Sequence, residues 1–260
     1  MKLGNPPIVE AWIEFHMQGV PQSVNWQAGS ESFMTRMLDE YPEIERIPKM
    51  EIRVDRASGG GSAEISGRES LHRVRAFNQA RRECVQIDEN TLVFNAIARD
   101  QRYAGFEFLM DKGLEHLRRY REHFRPASVR SVGIHYTDLV RIPCTLSQVI
   151  RLEDYFTMRV ELPDESAWPL ARVALEILVP LSKPEGAAES LTLSFRSEGY
   201  DDKSEEIRFR LDWHVKSDEI AGYDAASIKQ KLRKLHDEIE RRFRSCFTEA
   251  GWALFKEENT

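Results

Sequence analysis

The 260-residue chain has few cysteines, and their spacing excludes the usual cysteine-based frameworks. There are 3 of them, Cys84, Cys144 and Cys246, and no two form a CxxC pair. An odd number without that spacing argues against a disulfide scaffold or a structural zinc ribbon. We therefore predict three free thiols in a reducing compartment.

Long hydrophobic runs are also missing. No stretch approaches the ~20 consecutive apolar residues that a membrane-spanning helix needs, so we expect no membrane association. The segment MKLGNPPIVEAWIEF has no uninterrupted apolar core and no small-residue cleavage site, unlike a signal peptide. We expect a cytoplasmic protein.

An excess of positive charge is absent as well. The formal net charge is −6 and the sequence pI is about 5.8, which disfavours a general nucleic-acid binder because such proteins need a basic surface to release counterions. The remaining composition, 41% hydrophobic and 31% charged, is that of an ordinary globular protein. A chain of this length can bury roughly 75% of its unfolded surface, so its core needs no covalent staples.

Motifs for phosphate or metal binding are incomplete. The glycines of SGGGS, residues 58–62, are followed by the extended-looking LHRVRAF and not by a helix or a GK[ST] sequence, so no phosphate loop is predicted. No His-x-x-x-His occurs; His116 and His123 share a helix face but would lie ~10.5 Å apart along its axis, too far for one zinc ion. We predict no metal site and no cofactor.

Alternation of apolar and polar residues predicts the strands. The clearest case is EEIRFRLDWHVK, residues 205–216, whose polar face carries Arg210 and His214. One clean polar face is typical of an antiparallel sheet with one side in water or against a partner. The other predicted strands share this alternation and lie in residues 8–17, 49–55, 81–97, 129–142, 155–163, 171–181 and 191–197.

The first strand carries an aromatic residue among charges. Trp12 lies on the same face as Glu10, Glu14 and His16, which suggests a covered surface or an interface. Tandem carboxylates on a strand can hold a divalent ion in polyphosphate-processing tunnels. The spacing here differs from the Glu-x-Glu-x-Lys pattern of those tunnels, so we predict no ion at this position.

Three segments change to a helical period. Apolar residues recur every three to four positions in residues 103–125 and again after Asp224, which we predict to be the N-cap of a long helix. The segment SESFMTRMLDEYP, residues 30–42, predicts a shorter helix capped by Ser30 or Ser32.

Strands in runs with helices after them indicate the α+β class. We predict two antiparallel β-sheet units, each followed by a long amphipathic helix, in an order that would fit a topological duplication. The units would cover residues 1–145 and 146–260, either as separate domains or merged into one larger sheet.

The stretch SVGIHYTDLVRIP, residues 131–143, is the most chemical-looking part of the chain. If it is a strand, His135 and Asp138 point to opposite faces, so they cannot form an adjacent base-and-orienter pair. His135 and Thr137 do share a face and can serve a site completed by distant residues. We predict no catalytic residue. The residues that we select for ligand binding are His135, Thr137, Arg210 and His214.

Arginines concentrate in two regions of the middle of the chain. If the elements that carry them adjoin, they form a local basic surface for an acidic partner or a nucleic acid. Aromatic residues are sparse among them, so stacking of nucleic-acid bases is unsupported. The residues of this predicted surface are Arg73, Arg75, Arg118, Arg119 and Arg121.

Several motifs together resemble a sporadically distributed, uncharacterised family of bacterial proteins of about this length. They are NPPIVEA, NTLVFNAI, YAGFEF, SVGIHYTDLVRIP and DYF, and the resemblance spans most of residues 5–156. It implies no activity, ligand or catalytic residue. The patchy distribution of the family suggests a defence-linked locus, by association only.

Three functions follow as hypotheses. The first is a non-catalytic protein-binding or scaffold module, acting as a homodimer or with an unknown protein partner. The second is an enzyme or small-ligand binder with a pocket between sheet and helix. The third is nucleic-acid binding through the arginine-rich middle, which the net charge disfavours.

Overall fold

The computed structural model describes residues 7–21, 25–55, 64–98, 103–146, 148, 150–158, 173–181, 189–217 and 224–256. Within these residues the strands are β1 Ile8–Gln18, β2 Glu43–Asp55, β3 Glu64–Phe77, β4 Glu83–Ile87, β5 Thr91–Ile97, β6 Ser128–Pro143, β7 Ala174–Pro180, β8 Glu189–Asp201 and β9 Glu206–Ser217. The helices are α1 Trp26–Thr35, α2 Phe106–Phe124, α3 Leu152–Tyr155, α4 Ala225–Ser245 and α5 Glu249–Ala253.

All of the described strands belong to one antiparallel sheet. Its order is β2-β3-β4-β5-β1-β6-β9-β8-β7, so β2 and β7 are its edges. The predicted α+β class with an antiparallel sheet is confirmed. Two separate sheets are not formed, because β1 pairs with β6 from Gln18 opposite Ser128 to Ile8 opposite Asp138 and thereby joins the first strands to the last.

The core lies between the sheet and its helices. On β1 the predicted inward face is buried, with Ala11, Ile13 and Phe15 fully inaccessible, and α2 packs over β5 and β1 while α4 packs over β6 and β9. Full burial of a side chain as large as Ile13 or Phe15 contributes about 1.5–3 kcal/mol of hydrophobic stabilisation. Both long helices therefore cover the same side of the sheet and leave the other side without a helix among the described elements.

The helix ends follow from local chemistry. Asp224 caps α4 as predicted and accepts hydrogen bonds from the backbone N–H groups of Ala226 and Ser227. The predicted cap of α1 is wrong, since the helix begins at Trp26 and Asn25 caps it. Ser30 instead lies inside the helix, where its hydroxyl donates to the Gln27 carbonyl. Asparagine and serine are equally good caps, so the local sequence did not distinguish them.

Two other predictions meet a different outcome. In the segment predicted as a strand over residues 155–163, α3 ends at Tyr155 and Phe156 forms an isolated bridge with Phe247. Residues 159–163 lie outside the described residues, as do the three glycines of SGGGS.

No helix among the described residues is long and apolar enough to cross a membrane.

Candidate functional site

The side of the sheet that faces away from α2 and α4, here called the open face, carries a cluster of polar groups on its three central strands. Side chains alternate between the two faces on each of these strands, and most of the apolar ones lie under the helices. The open-face cluster consists of Glu10, Trp12, Glu14 and His16 on β1, His135 and Thr137 on β6, and Arg210, Asp212 and His214 on β9.

The strand register brings all four predicted ligand-binding residues together. His135 pairs with His214, and Thr137 pairs with Asp212, which is two residues from Arg210 on the same face of β9. The prediction that His135 and Thr137 share a face, opposite to Asp138, is confirmed, since Asp138 is buried on the helix side. The four residues lie on the open face, so they do not line a pocket between sheet and helix.

Trp12 stacks on His135 at the middle of the cluster. Their ring centroids are 3.5 Å apart and their planes differ by 6°. Burial lowers the pKa of His135, and the nearby Asp212 carboxylate only partly opposes this effect. At neutral pH His135 is therefore uncharged, and the contact is a stack of two neutral aromatic rings.

Glu14 lies between two histidines. His214 Nε2 is 3.0 Å and His16 Nε2 is 3.2 Å from Glu14 Oε1. Burial acts to raise the pKa of Glu14, but these two hydrogen bonds outweigh it and hold the pKa well below its usual range. The carboxylate has room because Gly133 lies opposite it on β6: a Cβ at Gly133 would be 2.7 Å from Glu14 Oε1.

Asp212 is held by hydrogen-bond donors on the other side of the cluster. Thr137 Oγ1 donates to its Oδ1 at 2.7 Å, and Arg210 Nε lies 3.0 and 2.9 Å from its two oxygens. Burial acts to raise the pKa of Asp212, but hydrogen bonds from His135, Arg210 and Thr137 hold it well below its usual range. This carboxylate is ionised at neutral pH.

Glu10 differs from the other two carboxylates. It has no hydrogen bond or ion pair with any described residue, and burial raises its pKa while the charge of Arg210 acts in the opposite direction. On β5, Asn95 pairs directly with Trp12, and its Oδ1 is inaccessible and has no donor among the described residues.

The five arginines of the predicted basic surface do not gather in one place. Arg75 follows the buried Val74 on β3, so it lies on the open face, where it donates to Gln86 Oε1 at 2.7 Å. Arg73 shares that face of β3 and lies 3.5 Å from Asp88.

The other three arginines of that surface lie on α2, on the opposite side of the sheet. Arg118 pairs with Glu122 at 2.6 Å. Arg119 pairs with Glu40 at 2.7 Å and Glu115 at 2.5 Å. Arg121 lies in the last turn of the helix. The sheet thus separates the two arginine-rich regions, which the sequence could not show.

Among the described residues, one group of side chains has the spacing to hold a metal ion. It consists of His236, Asp237 and Glu240 on α4. Both carboxylates are exposed, and His236 Nδ1 already lies 3.0 Å from the Tyr136 hydroxyl. Exposed acidic residues at this spacing on a helix are common, so the group gives no functional assignment.

The sequence predicts a covered surface or interface around Trp12, but Glu10, Trp12, Glu14, His16 and Asp212 are not among the predicted ligand-binding residues. The signal for each was present, because all five fall on the polar face of an alternating strand. The missing information was the pairing of β1 with β6 and of β6 with β9, which places these faces side by side.

Comparison with known proteins adds no assignment. No protein-family model matches the sequence, and a search of curated proteins gives no significant match. The resemblance to a bacterial family stays a prediction.

Proposed function

We propose that the protein is a non-catalytic binding module that holds another protein on the open face of its sheet. The observation that carries this proposal is the open-face cluster: a half-buried tryptophan surrounded by fixed charge pairs at the centre of a sheet side that bears no helix in the described chain. Tryptophan is enriched among the residues that dominate binding energy, particularly near the centre of an interface.

The hydrogen bonds within the cluster support binding over catalysis. A nucleophilic Thr137 would need His135 as its base, yet its hydroxyl lies 3.4 Å from His135 Nε2 and 2.7 Å from Asp212. The shorter contact directs the hydroxyl proton to the carboxylate. His135 Nε2, the atom that would accept the proton, itself faces the Asp212 carboxylate at 3.5 Å.

The proposal is tested by affinity purification of the tagged protein from its native host, followed by mass spectrometry. The wild type and Leu146→Ala should recover the same stoichiometric protein. Trp12→Ala should recover at least tenfold less, because truncating a central tryptophan typically costs about 2 kcal/mol or more of binding energy. Leu146 is a matched control because it is apolar, 77% exposed and beyond the end of β6. Full recovery with Trp12→Ala would exclude the open face as the binding surface.

We also propose that two copies of the chain form a homodimer through β7. The outer edge of β7 has no strand partner in the described chain, and its Leu178 and Ile177 are 67% and 41% exposed on opposite faces. The Leu181 N–H group, just after β7, donates to the Glu189 carbonyl of β8. Because backbone hydrogen bonding alternates along an antiparallel strand, the odd-numbered residues of β7 bond to β8. The N–H and C=O groups of its even-numbered residues point away from the sheet. An apolar edge of this kind favours pairing with another strand.

The dimer is tested by light scattering after size exclusion, with Leu178→Lys as the variant. A lysine on the edge should convert the dimer to a monomer, whereas Leu38→Lys, at an exposed site just after α1, should not. A wild-type monomer at all concentrations would contradict the proposal.

We further propose that the chain consists of two units of similar topology. In support, the first strand of each run lies beside the last strand of the same run: β1 beside β5, and β6 beside β9. The long helix α2 follows the run β1–β5, and the long helix α4 follows the run β6–β9. In this arrangement β6 corresponds to β1, which favours a boundary between α2 and β6 over the boundary expected near residue 145. Cytoplasmic location and a defence-linked locus remain further parts of the proposal.

A small-ligand or enzymatic role is less well supported, because the residues selected for it lie on the open face and not between sheet and helix. Nucleic-acid binding is also less well supported, because Arg75 and Arg118 lie on opposite sides of the sheet.

A further inference from the structure

One carboxylate of the open-face cluster makes no hydrogen bond or ion pair with a described residue. Glu14 is bonded to two histidines and Asp212 to Thr137 and Arg210, but Glu10 has no such partner among the described residues. Glu10 is partly buried, and a partly buried carboxylate without a donor favours a ligand that can donate to it.

The neighbouring cations Arg210 and Arg75 act on Glu10 through their charge but donate their hydrogen bonds to other residues. Arg210 donates to both oxygens of Asp212, and Arg75 donates to Gln86. An anionic ligand would have to displace these contacts. A cationic ligand would instead meet the acceptor that the fold leaves open, which makes positive charge the complement of this part of the face.

Trp12 supplies a second element of such a site. His135 on β6 covers one face of the indole. Because β5 and β6 flank β1 on opposite sides, the other ring face is directed toward β5, where Asn95 is its cross-strand partner. Glu10 lies two residues before Trp12 on the same strand face, within about 7 Å of it along the strand.

We propose that this part of the open face receives an arginine side chain of the bound protein, with its guanidinium beside the Glu10 carboxylate and the Trp12 indole. The inference rests on the proposed function, since it names the chemistry of the partner at the same face. A guanidinium fits better than an ammonium because its planar group can stack on an indole and donate two parallel hydrogen bonds to one carboxylate.

The test uses a short probe peptide on the full-length protein. The probe is acetylated and amidated Gly-Ser-Arg-Ser-Gly, titrated to millimolar concentration into ¹⁵N-labelled protein at low salt. The control peptide carries citrulline, the uncharged isostere, in place of arginine. The reporter is the Trp12 indole N–H signal, identified by its loss in Trp12→Phe.

We expect the arginine peptide to shift this signal saturably and the citrulline peptide to leave it in place. Glu10→Gln should weaken the apparent affinity at least fivefold. Glu122→Gln, on the helix side of the sheet, should leave the affinity unchanged. Because Glu10 bonds to no described residue, Glu10→Gln should fold normally, which the same spectrum verifies.

Three outcomes would overturn the inference: no shift with the arginine peptide, an equal shift with the citrulline peptide, or an unchanged affinity in Glu10→Gln. The proposed function fails separately. If Trp12→Ala loses its protein partner while the arginine peptide does not titrate, the binding face stands and the arginine site is wrong. If the peptide titrates but Trp12→Ala retains the partner, the arginine site stands and the proposed function is wrong.

Discussion

Replacing Gly133 by alanine should destabilise the protein, although the same change inside a strand is ordinarily favourable. A Cβ at this position would lie 2.7 Å from Glu14 Oε1 and 2.9 Å from its Cγ, closer than real Cβ atoms come to other groups. The Glu14 side chain would have to leave His16 and His214, the two groups that hold it.

The expected magnitude follows from two opposing effects. Alanine in place of glycine in a strand is favourable by roughly 0.5–1 kcal/mol, whereas forced overpacking costs about 1–3 kcal/mol. Gly133→Ala should therefore lower the free energy of unfolding by about 0.5–2 kcal/mol. In a Glu14→Ala background the overlap is gone, and the same substitution should be neutral or slightly stabilising.

The assay is urea unfolding at pH 7 of the wild type, both single variants and the double variant. A coupling free energy of at least ~0.5 kcal/mol between the two sites is expected for residues in contact. A Glu122→Ala background, on the opposite side of the sheet, should leave the effect of Gly133→Ala unchanged. Equal effects in all backgrounds, or stabilisation of the wild type, would refute the register of β1 on β6 from which the argument starts.

Two further predictions concern buried ionisable groups. Burial raises the pKa of Asp138 to about 8, so between about pH 4 and pH 8 the folded state keeps a proton that the unfolded chain has lost, and stability should fall as pH rises through this window. Asp138→Asn should remove this pH dependence, which is at most about 1.4 kcal/mol of unfolding free energy per pH unit. Chemical unfolding of the wild type and the variant from pH 4 to 8 measures the difference. An identical pH dependence of the two proteins would contradict the burial of Asp138. Burial also raises the pKa of Cys84 to about 12 and that of Cys246 to about 11, so both should resist iodoacetamide at pH 7.5 until urea is added. Mass spectrometry of the alkylated protein checks this, and native-state labelling at the rate of a free thiol would disprove it.

The faces of the central strands could be predicted from the sequence because side-chain direction is local. Alternation alone places His135 and Thr137 together and Asp138 opposite, and the same holds for Arg210 and His214. These assignments need no knowledge of neighbouring strands.

The assembly of the cluster could not be predicted, because it depends on which strands become neighbours. Trp12 meets His135 only because β1 pairs with β6, two strands that are separated by four others and two helices in the chain. The same non-local pairing places Arg75 and Arg118 on opposite sides of the sheet and so divides the predicted basic surface.

The central claim is that a partner protein covers the open face, and site-specific photo-crosslinking in the native host tests it most directly. A photoreactive residue at Thr192, which pairs with His214 at the margin of the cluster, should give a discrete crosslinked protein. The same group at Arg118, on α2, should give none. Crosslinks from Arg118 alone, with nothing captured at Thr192, would contradict the account and move the binding surface to the helices.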